Sequence, residues 1–322
     1  MSKLSTLHTT VATLALCASA AACAQNFPSR PIHFLVPYTS GTGTDIVAHM
    51  MAGPMGERLG QSIIVENKPG AGAILGVKAL KDAKPDGHTI GAVVSANAIQ
   101  TWITKDLGFD IRKDFAPITL LYTGPLVMSV PAEFPAKNLA EFVSYAKANP
   151  DKLFFGSVGP GSTSHLVPEM LKLAAGIKMT HVPYKGSPEM YTAMFGGSVQ
   201  VAFDNYVTPK AQVEAGKLRV LGITSAQRVP FLPNVPTFAE TFPNFEASFW
   251  VGLAAPQGTP ANALERITTE ARAALQRPDI RTRMTELGLL QGGSTPAEFA
   301  RYMANEVEKW GKVTQAAGMK PA

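Results

Sequence analysis

Apolar positions along the chain fall into short runs that alternate with stretches of helical periodicity. Residues 32–36 form a run of strand length, and residues 45–59 place Ile46, Met50, Met51 and Leu59 on one side of a helix. A strand at 62–66, a helix at 74–83 and a strand at 89–95 repeat the order. Such β-loop-α alternation predicts a parallel sheet with helices on its faces. Two further apolar runs, 118–122 and 126–131, are parted by Gly124-Pro125, where the chain is expected to cross into a second domain. There the pattern resumes, with helices at 139–148, 166–175 and 190–195 and strands at 153–157, 178–182, 199–203 and 218–224. The stretch 228–243 carries Pro230, Pro233, Pro236 and Pro243 and reads as a return connection wrapping the first domain. An apolar strand-like run at 250–255 and helices at 261–276, 279–287 and 296–312 complete the chain. The last helix carries Phe299, Met303, Val307 and Trp310 at the spacing of a core stripe.

Residues 1–24 read as a secretory leader. Lys3 supplies a basic start, residues 11–22 an apolar run too short to span a bilayer, and Ala22-Cys23-Ala24 a cleavage site. The mature chain is expected to begin near Gln25 and to reside in the periplasm. Acylation at Cys23 is the alternative; Ala20 stands where such signals usually carry leucine. Both cysteines, Cys17 and Cys23, lie in this leader, which leaves no disulfide, thiol nucleophile or cysteine metal site beyond it. A 322-residue chain with 46% hydrophobic residues has material for a sizeable core and for two domains. Setting Lys3 aside, 28 basic residues face 24 acidic ones, and no basic run or aromatic-interleaved patch points to nucleic acid.

Candidate chemistry gathers in loops that follow strands. Residues 38–45 join a strand to a helix through Gly41 and Gly43 with the hydroxyls of Tyr38, Thr39, Ser40, Thr42 and Thr44; Thr42 or Thr44 suits the helix N-cap and Asp45 its first turn. Backbone N–H groups at such a helix start favour an anion, so the loop is expected to hold a carboxylate. Residues 69–74 offer Gly70, Ala71 and Gly72, where small residues let backbone donors approach a ligand. Residues 157–165 bring Ser162, Thr163 and His165, and residues 183–188 bring Lys185, a cation suited to a distal carboxylate. Asp204, at the end of a strand, is placed to accept from a ligand hydroxyl or amine. In a doubly wound fold these loops collect at the carboxyl edge of the sheet, the usual ligand crevice.

Other readings of the same residues are weaker on chemical grounds. Gly41-x-Gly43 starts a dinucleotide fingerprint, but Ile46 occupies the third glycine position, and no Walker A sequence occurs, so no cofactor is expected. Ser162 or Ser164 with His165 and Asp204 would make a hydrolase triad, but the G-x-S-x-G elbow is missing. His165 and Glu169 stand four residues apart without the H-E-x-x-H pattern of a zinc site, so no metal is expected.

The motifs together resemble the substrate-binding proteins of tripartite tricarboxylate transporters, the Bug or TctC family. The resemblance runs through Pro31-Ile32 to Asp45, Val65-Glu66-Asn67-Lys68-Pro69-Gly70-Ala71-Gly72, Pro85-Asp86-Gly87, the stretch from Gly156-Ser157 to His165, His181-Val182-Pro183-Tyr184-Lys185-Gly186 and Phe203-Asp204-Asn205. It implies a type II periplasmic binding protein fold, with two doubly wound α/β lobes and a ligand cleft between them. Lobe 1 would comprise 25–124 and 226–322, and lobe 2 would comprise 125–225, with hinges near residues 124 and 225. It implies a non-enzymatic receptor, a monomer, that closes on an organic carboxylate and delivers it to the permease subunits of the transporter; a periplasmic sensor binding the same ligand is the alternative role. The first two loops would hold one carboxylate through backbone N–H groups and ordered water. This sequence departs from the family's usual Pro-Phe-x-x-Gly-Gly by reading Pro37-Tyr38-Thr39-Ser40-Gly41-Thr42, and Ala73 follows Gly72 where a glycine is usual. With Tyr38, Phe249 and Trp250 available to flank a ring, a benzene mono- or dicarboxylate such as terephthalate is a candidate beside aliphatic di- and tricarboxylates.

Overall fold

A computed structural model describes residues 27–316 and residue 321; the leader read at 1–24 lies outside the described residues. The chain opens with β1 (Ile32–Val36), α1 (Gly43–Leu59), β2 (Ile63–Asn67), α2 (Ile74–Lys81), β3 (Thr89–Val94) and α3 (Ser95–Ile103). Then come β4 (Phe115–Pro131), α4 (Leu139–Ala148), β5 (Phe154–Ser157), α5 (Thr163–Ala175), β6 (Thr180–Pro183), α6 (Ser187–Phe195), β7 (Val201–Asn205), α7 (Lys210–Glu214) and β8 (Leu218–Ile223). The last part holds β9 (Ser248–Pro256), α8 (Ala261–Leu275), α9 (Pro278–Glu286), β10 (Leu290–Gln291) and α10 (Pro296–Ala316).

The strands form one curled sheet in two halves. In the first, β2, β1 and β3 run parallel, and β9 lies antiparallel between β3 and β4, with β10 on the outer side of β4. In the second, β6, β5 and β7 run parallel, and β4 lies antiparallel between β7 and β8. Each half-sheet with its helices is a lobe, and β4 belongs to both.

The two apolar runs around Gly124-Pro125 are therefore a single strand rather than two. Up to Pro125 it pairs with β9, through Pro125 opposite Ser248, and from Leu126 onward it pairs with β7 and β8. A proline that has no N–H to offer falls at the point where one set of partners gives way to the other. The helix α3 is an addition to the elements expected from sequence. It starts directly from β3 with no intervening turn, and Asn97 Oδ1 accepts the Val94 N–H at 2.8 Å in place of a polar cap.

The proline-rich segment packs on the second lobe instead of wrapping the first. Phe238 is buried against Phe203 of β7, Phe245 and Gly222 of β8, and Ile223 bridges to Thr237. In the C-terminal helix Phe299, Met303, Val307 and Trp310 are all buried, as their spacing predicts. Phe299 fits beneath β9 because Gly252 has no side chain there; a Cβ on Gly252 would overlap its ring.

Candidate functional site

The carboxyl ends of β1, β3, β5, β6 and β7 point at the junction of the lobes, where the start of α3 meets the loops leaving the other four strands. Several of these contacts are too close for any side chain to intervene. A Cβ on Gly72 would lie 2.4 Å from the Pro160 carbonyl oxygen, and one on Gly159 would lie 2.9 Å from the backbone nitrogen of Gly72. Gly41 faces Pro188, Gly186 abuts Thr39, and Gly43 abuts Asn205. Ser95 Oγ and Thr163 Oγ1 join the lobes through a hydrogen bond of 2.7 Å. The lobes are thus closed on one another.

Between them lies a narrow cavity of about 50 Å3. Four helix N-termini border it. Thr42 and Thr44 stand at the start of α1, Ser95 at α3, Thr163 and Ser164 at α5, and Ser187 at α6. The first N–H groups of a helix have no partner within it, and each helix start carries a partial positive charge. Tyr38, Asp204 and Asn205 complete the polar wall, while Val94, Leu126, Val158, Phe249, Trp250 and Val251 form the apolar one. No lysine, arginine or histidine lines the cavity among the described residues. The apolar wall is anchored from behind, where Glu306 Oε2 accepts from Trp250 Nε1 at 3.0 Å and from Trp310 Nε1 at 3.2 Å.

Of the residues singled out from the sequence, Tyr38, Thr42, Thr44, Thr163, Ser164, Asp204, Phe249 and Trp250 border the cavity. Thr39 and Ser40 lie in the same loop without lining the cavity, and Thr39 abuts Gly186 of the opposite lobe. Asp45 shapes this loop from within. Its Oδ2 accepts from the Gly41 N–H at 2.8 Å and from Ser40 Oγ at 3.1 Å, and its Oδ1 from Asn67 Nδ2 at 2.8 Å. Thr42 caps α1 by accepting the Asp45 N–H. The Gly70–Gly72 stretch serves the lobe contact: Gly70, Ala71, Gly72 and Ala73 have φ of 139°, 48°, 62° and 88°, a turn that presses the Gly72 backbone against Pro160. Lys185 is exposed, and its N–H donates to Glu189.

Ser162, Ser164, His165 and Asp204 do not assemble a hydrolase triad. Ser162 Oγ donates to the Gly159 carbonyl at 2.7 Å, and Ser164 Oγ accepts the Val158 N–H at 3.0 Å. His165 Nδ1 accepts the Gly161 N–H at 3.1 Å, and its ring stacks 3.9 Å from that of His181, which in turn bonds Ser157 Oγ at 2.6 Å. These residues hold the 157–165 loop. Burial, then the mutual proximity of the rings, pushes His181 down to about 3, and burial lowers His165 as well. Among the described residues no group of three or more His, Cys, Asp or Glu could hold a metal ion.

Asp204 is 5% exposed, and burial raises its carboxyl to about 7 against the opposing pull of Ser187, the Asn205 N–H and Thr208. Burial and then the Asp204 charge raise the phenols of Tyr38 and Tyr191. Sequence reasoning did not single out Ser95 or Ser187. Both follow the pattern of the other loops, a hydroxyl residue directly after a strand or loop and at a helix start, but Ser95 was hidden by the missing turn before α3.

Known proteins share this fold. A model of the tripartite tricarboxylate transporter family receptor (TctC) matches residues 47–319. The periplasmic binding protein BugD superposes with a TM-score of 0.89 at 31% identity, covering 92% of this chain and 100% of its own. Rpa4515 of R. palustris with adipate gives 0.89 at 32% identity, over 92% of this chain and 100% of its own. MatC from Rhodopseudomonas palustris with bound malate gives 0.85 at 32% identity, over 89% and 99% respectively.

Proposed function

The chain belongs to the TctC family of tripartite tricarboxylate transporter receptors, and on that premise we propose that it captures a small organic carboxylate between its lobes and hands it to the permease subunits of such a transporter. The family consists of periplasmic binding receptors, which makes this a binding protein of the periplasm and not an enzyme. Among the described residues no helix is long and apolar enough to cross a membrane. In this reading residues 1–24 direct export, and the receptor acts as a monomer.

One observation supports the ligand class above all. Four helix N-termini and their hydroxyls border a cavity with no cationic side chain. A carboxylate there is stabilised by oriented N–H dipoles, a common way of holding an anion without a counter-charge. The apolar wall of Phe249, Trp250 and Val251 suits the hydrocarbon body of the acid, aliphatic as in the adipate and malate of the two neighbours or aromatic as in terephthalate. Lobe 1 is assigned 25–125 and 248–322 and lobe 2 residues 126–247, which moves the second boundary from residue 225, as expected from sequence, to the end of the proline-rich segment that packs on lobe 2. Closure turns on the pair of crossings at Pro125–Leu126 and Ala247–Ser248, with Thr224 bonded to both, and the closed form is the one the permease engages.

Titration calorimetry of the mature protein, unfolded and refolded to remove carried-over ligand, tests this with adipate, malate, succinate, benzoate and terephthalate. Saturable one-to-one binding of at least one acid is expected. Heat from none of them would overturn the proposal, and turnover of simple esters would then favour the hydrolase.

A further inference from the structure

Asp204 ends β7 with its two carboxylate oxygens in different circumstances. Oδ1 accepts from the Asn205 N–H at 2.8 Å and from Asn205 Nδ2 at 3.2 Å. Oδ2 makes no hydrogen bond of regular geometry among the described residues, although the hydroxyls of Ser187 and Thr208 are close enough to favour its charge, and the residue is only 5% exposed. Beside it, Asn205 Oδ1 is a second buried acceptor without a donor; the bond from Asn205 Nδ2 to Asp204 fixes which end of that amide carries the oxygen. Asp204 and Asn205 both border the cavity, so two unfilled acceptors share its wall.

Buried acceptors of this kind are costly unless a donor reaches them. The titratable groups facing Asp204 are Tyr38 from the β1–α1 loop and Tyr191 from α6, with Tyr122 of β4 further off; Ser187 of α6 and Thr208 add hydroxyls. None is a cation. A second carboxylate of the ligand placed here would find no cation and could sit beside Asp204 only with a proton taken up between them.

Resting on the receptor reading above, we propose that Asp204, with Asn205, determines specificity by accepting a hydrogen bond from an O–H or N–H group of the ligand, so that the receptor selects acids bearing a hydroxyl or amino group. The helix N-termini take the carboxylate, and the Asp204–Asn205 corner takes the donor. Hydroxyl and ammonium share this chemistry and differ in how many acceptors they fill.

Calorimetric titration with succinate, malate and aspartate separates the cases, since the three share a carbon skeleton and differ by one group: none, hydroxyl or ammonium. Should the site prefer aromatic acids, benzoate, 4-hydroxybenzoate and 4-aminobenzoate replace them. The donor-bearing acid is expected to bind at least tenfold more tightly than its donor-free counterpart. Malate ahead identifies a hydroxyl ligand, aspartate ahead an ammonium one. In Asp204→Asn the preference should fall toward unity, and because the comparison within the wild type needs no variant, a misfolded Asp204→Asn would leave the test intact. Equal binding of succinate, malate and aspartate, or benzoate equal to its substituted forms, contradicts the inference while leaving the receptor intact. No binding of any acid contradicts the receptor reading itself.

Discussion

Ser95 and Thr163 share a hydrogen bond of 2.7 Å across the cleft, one hydroxyl from each lobe, both buried and both at a helix N-terminus. The pair does two things. It links the lobes directly, and it sets two hydroxyls beside the N–H groups to which a carboxylate is assigned. Ser95→Ala removes half of it and leaves the Thr163 hydroxyl buried without that partner. A net loss of about 1 kcal/mol from the closed form follows, equivalent to roughly fivefold weaker acid binding. Titration calorimetry of the variant beside the wild type checks this.

Gly72 tests closure from the other side. Its backbone lies against Pro160, and an added Cβ would come within 2.4 Å of that carbonyl oxygen, which is main chain and has little room to yield. Gly72→Ala should hold the lobes apart and lower acid affinity at least tenfold, and small-angle scattering with saturating acid should show a larger radius of gyration than for the wild type. An unchanged affinity would mean that this contact is not needed for binding.

Thr224 is fully buried between the two crossings: its Oγ1 accepts the Leu126 N–H at 2.8 Å and donates to the Ala247 carbonyl at 2.5 Å. Thr224→Val keeps the shape and strands both backbone groups. The cost is expected to be about 2 kcal/mol, a fall in melting midpoint of roughly 4 °C for a chain of this size. Differential scanning calorimetry of the ligand-free protein reads it.

The partly buried His181 and the buried Asp204 give the stability of the ligand-free protein opposite slopes with pH. His181 is lowered from 6.5 to about 3, so the folded state binds fewer protons than the unfolded one in that window, and stability is lost as pH falls from about 6.5 toward 3. Asp204 is raised from 3.8 to about 7, so the folded state holds the extra proton, and stability is lost as pH rises from about 4 to 7. His181→Phe, which keeps an aromatic ring in the stack between Phe155 and His165, should flatten the acid limb of a plot of melting midpoint against pH. Asp204→Asn should flatten the limb approaching neutrality. A variant with the wild-type slope would show that the group titrates alike in both states.

Much of the fold is legible because strand-length apolar runs and helical periodicity separate cleanly at Gly, Pro and hydroxyl residues. Where that punctuation misleads, the reading fails. Gly124-Pro125 looks like a break yet lies within one strand, since the partner strands change at the proline. Val94 runs into Ser95 with no break, because Asn97 caps the helix from inside. The loops of the site could be picked out, as hydroxyls at helix starts are visible in sequence. What each polar group bonds is not visible. Asp45 belongs to a loop that reads as holding the ligand and is spent on Gly41, Ser40 and Asn67, whereas Asp204 Oδ2 makes no hydrogen bond among the described residues. Such distinctions depend on pairings between residues far apart in sequence.

The most direct test of an acid held by uncharged donors compares acids with their own primary amides. The refolded protein is melted with each acid of the panel at about 100 times its dissociation constant, where binding adds roughly 2.7 kcal/mol, and with the matching amide at the same concentration. A rise of several degrees with an acid and none with its amide is expected. No rise with any acid, or an equal rise with the amide, would contradict the account.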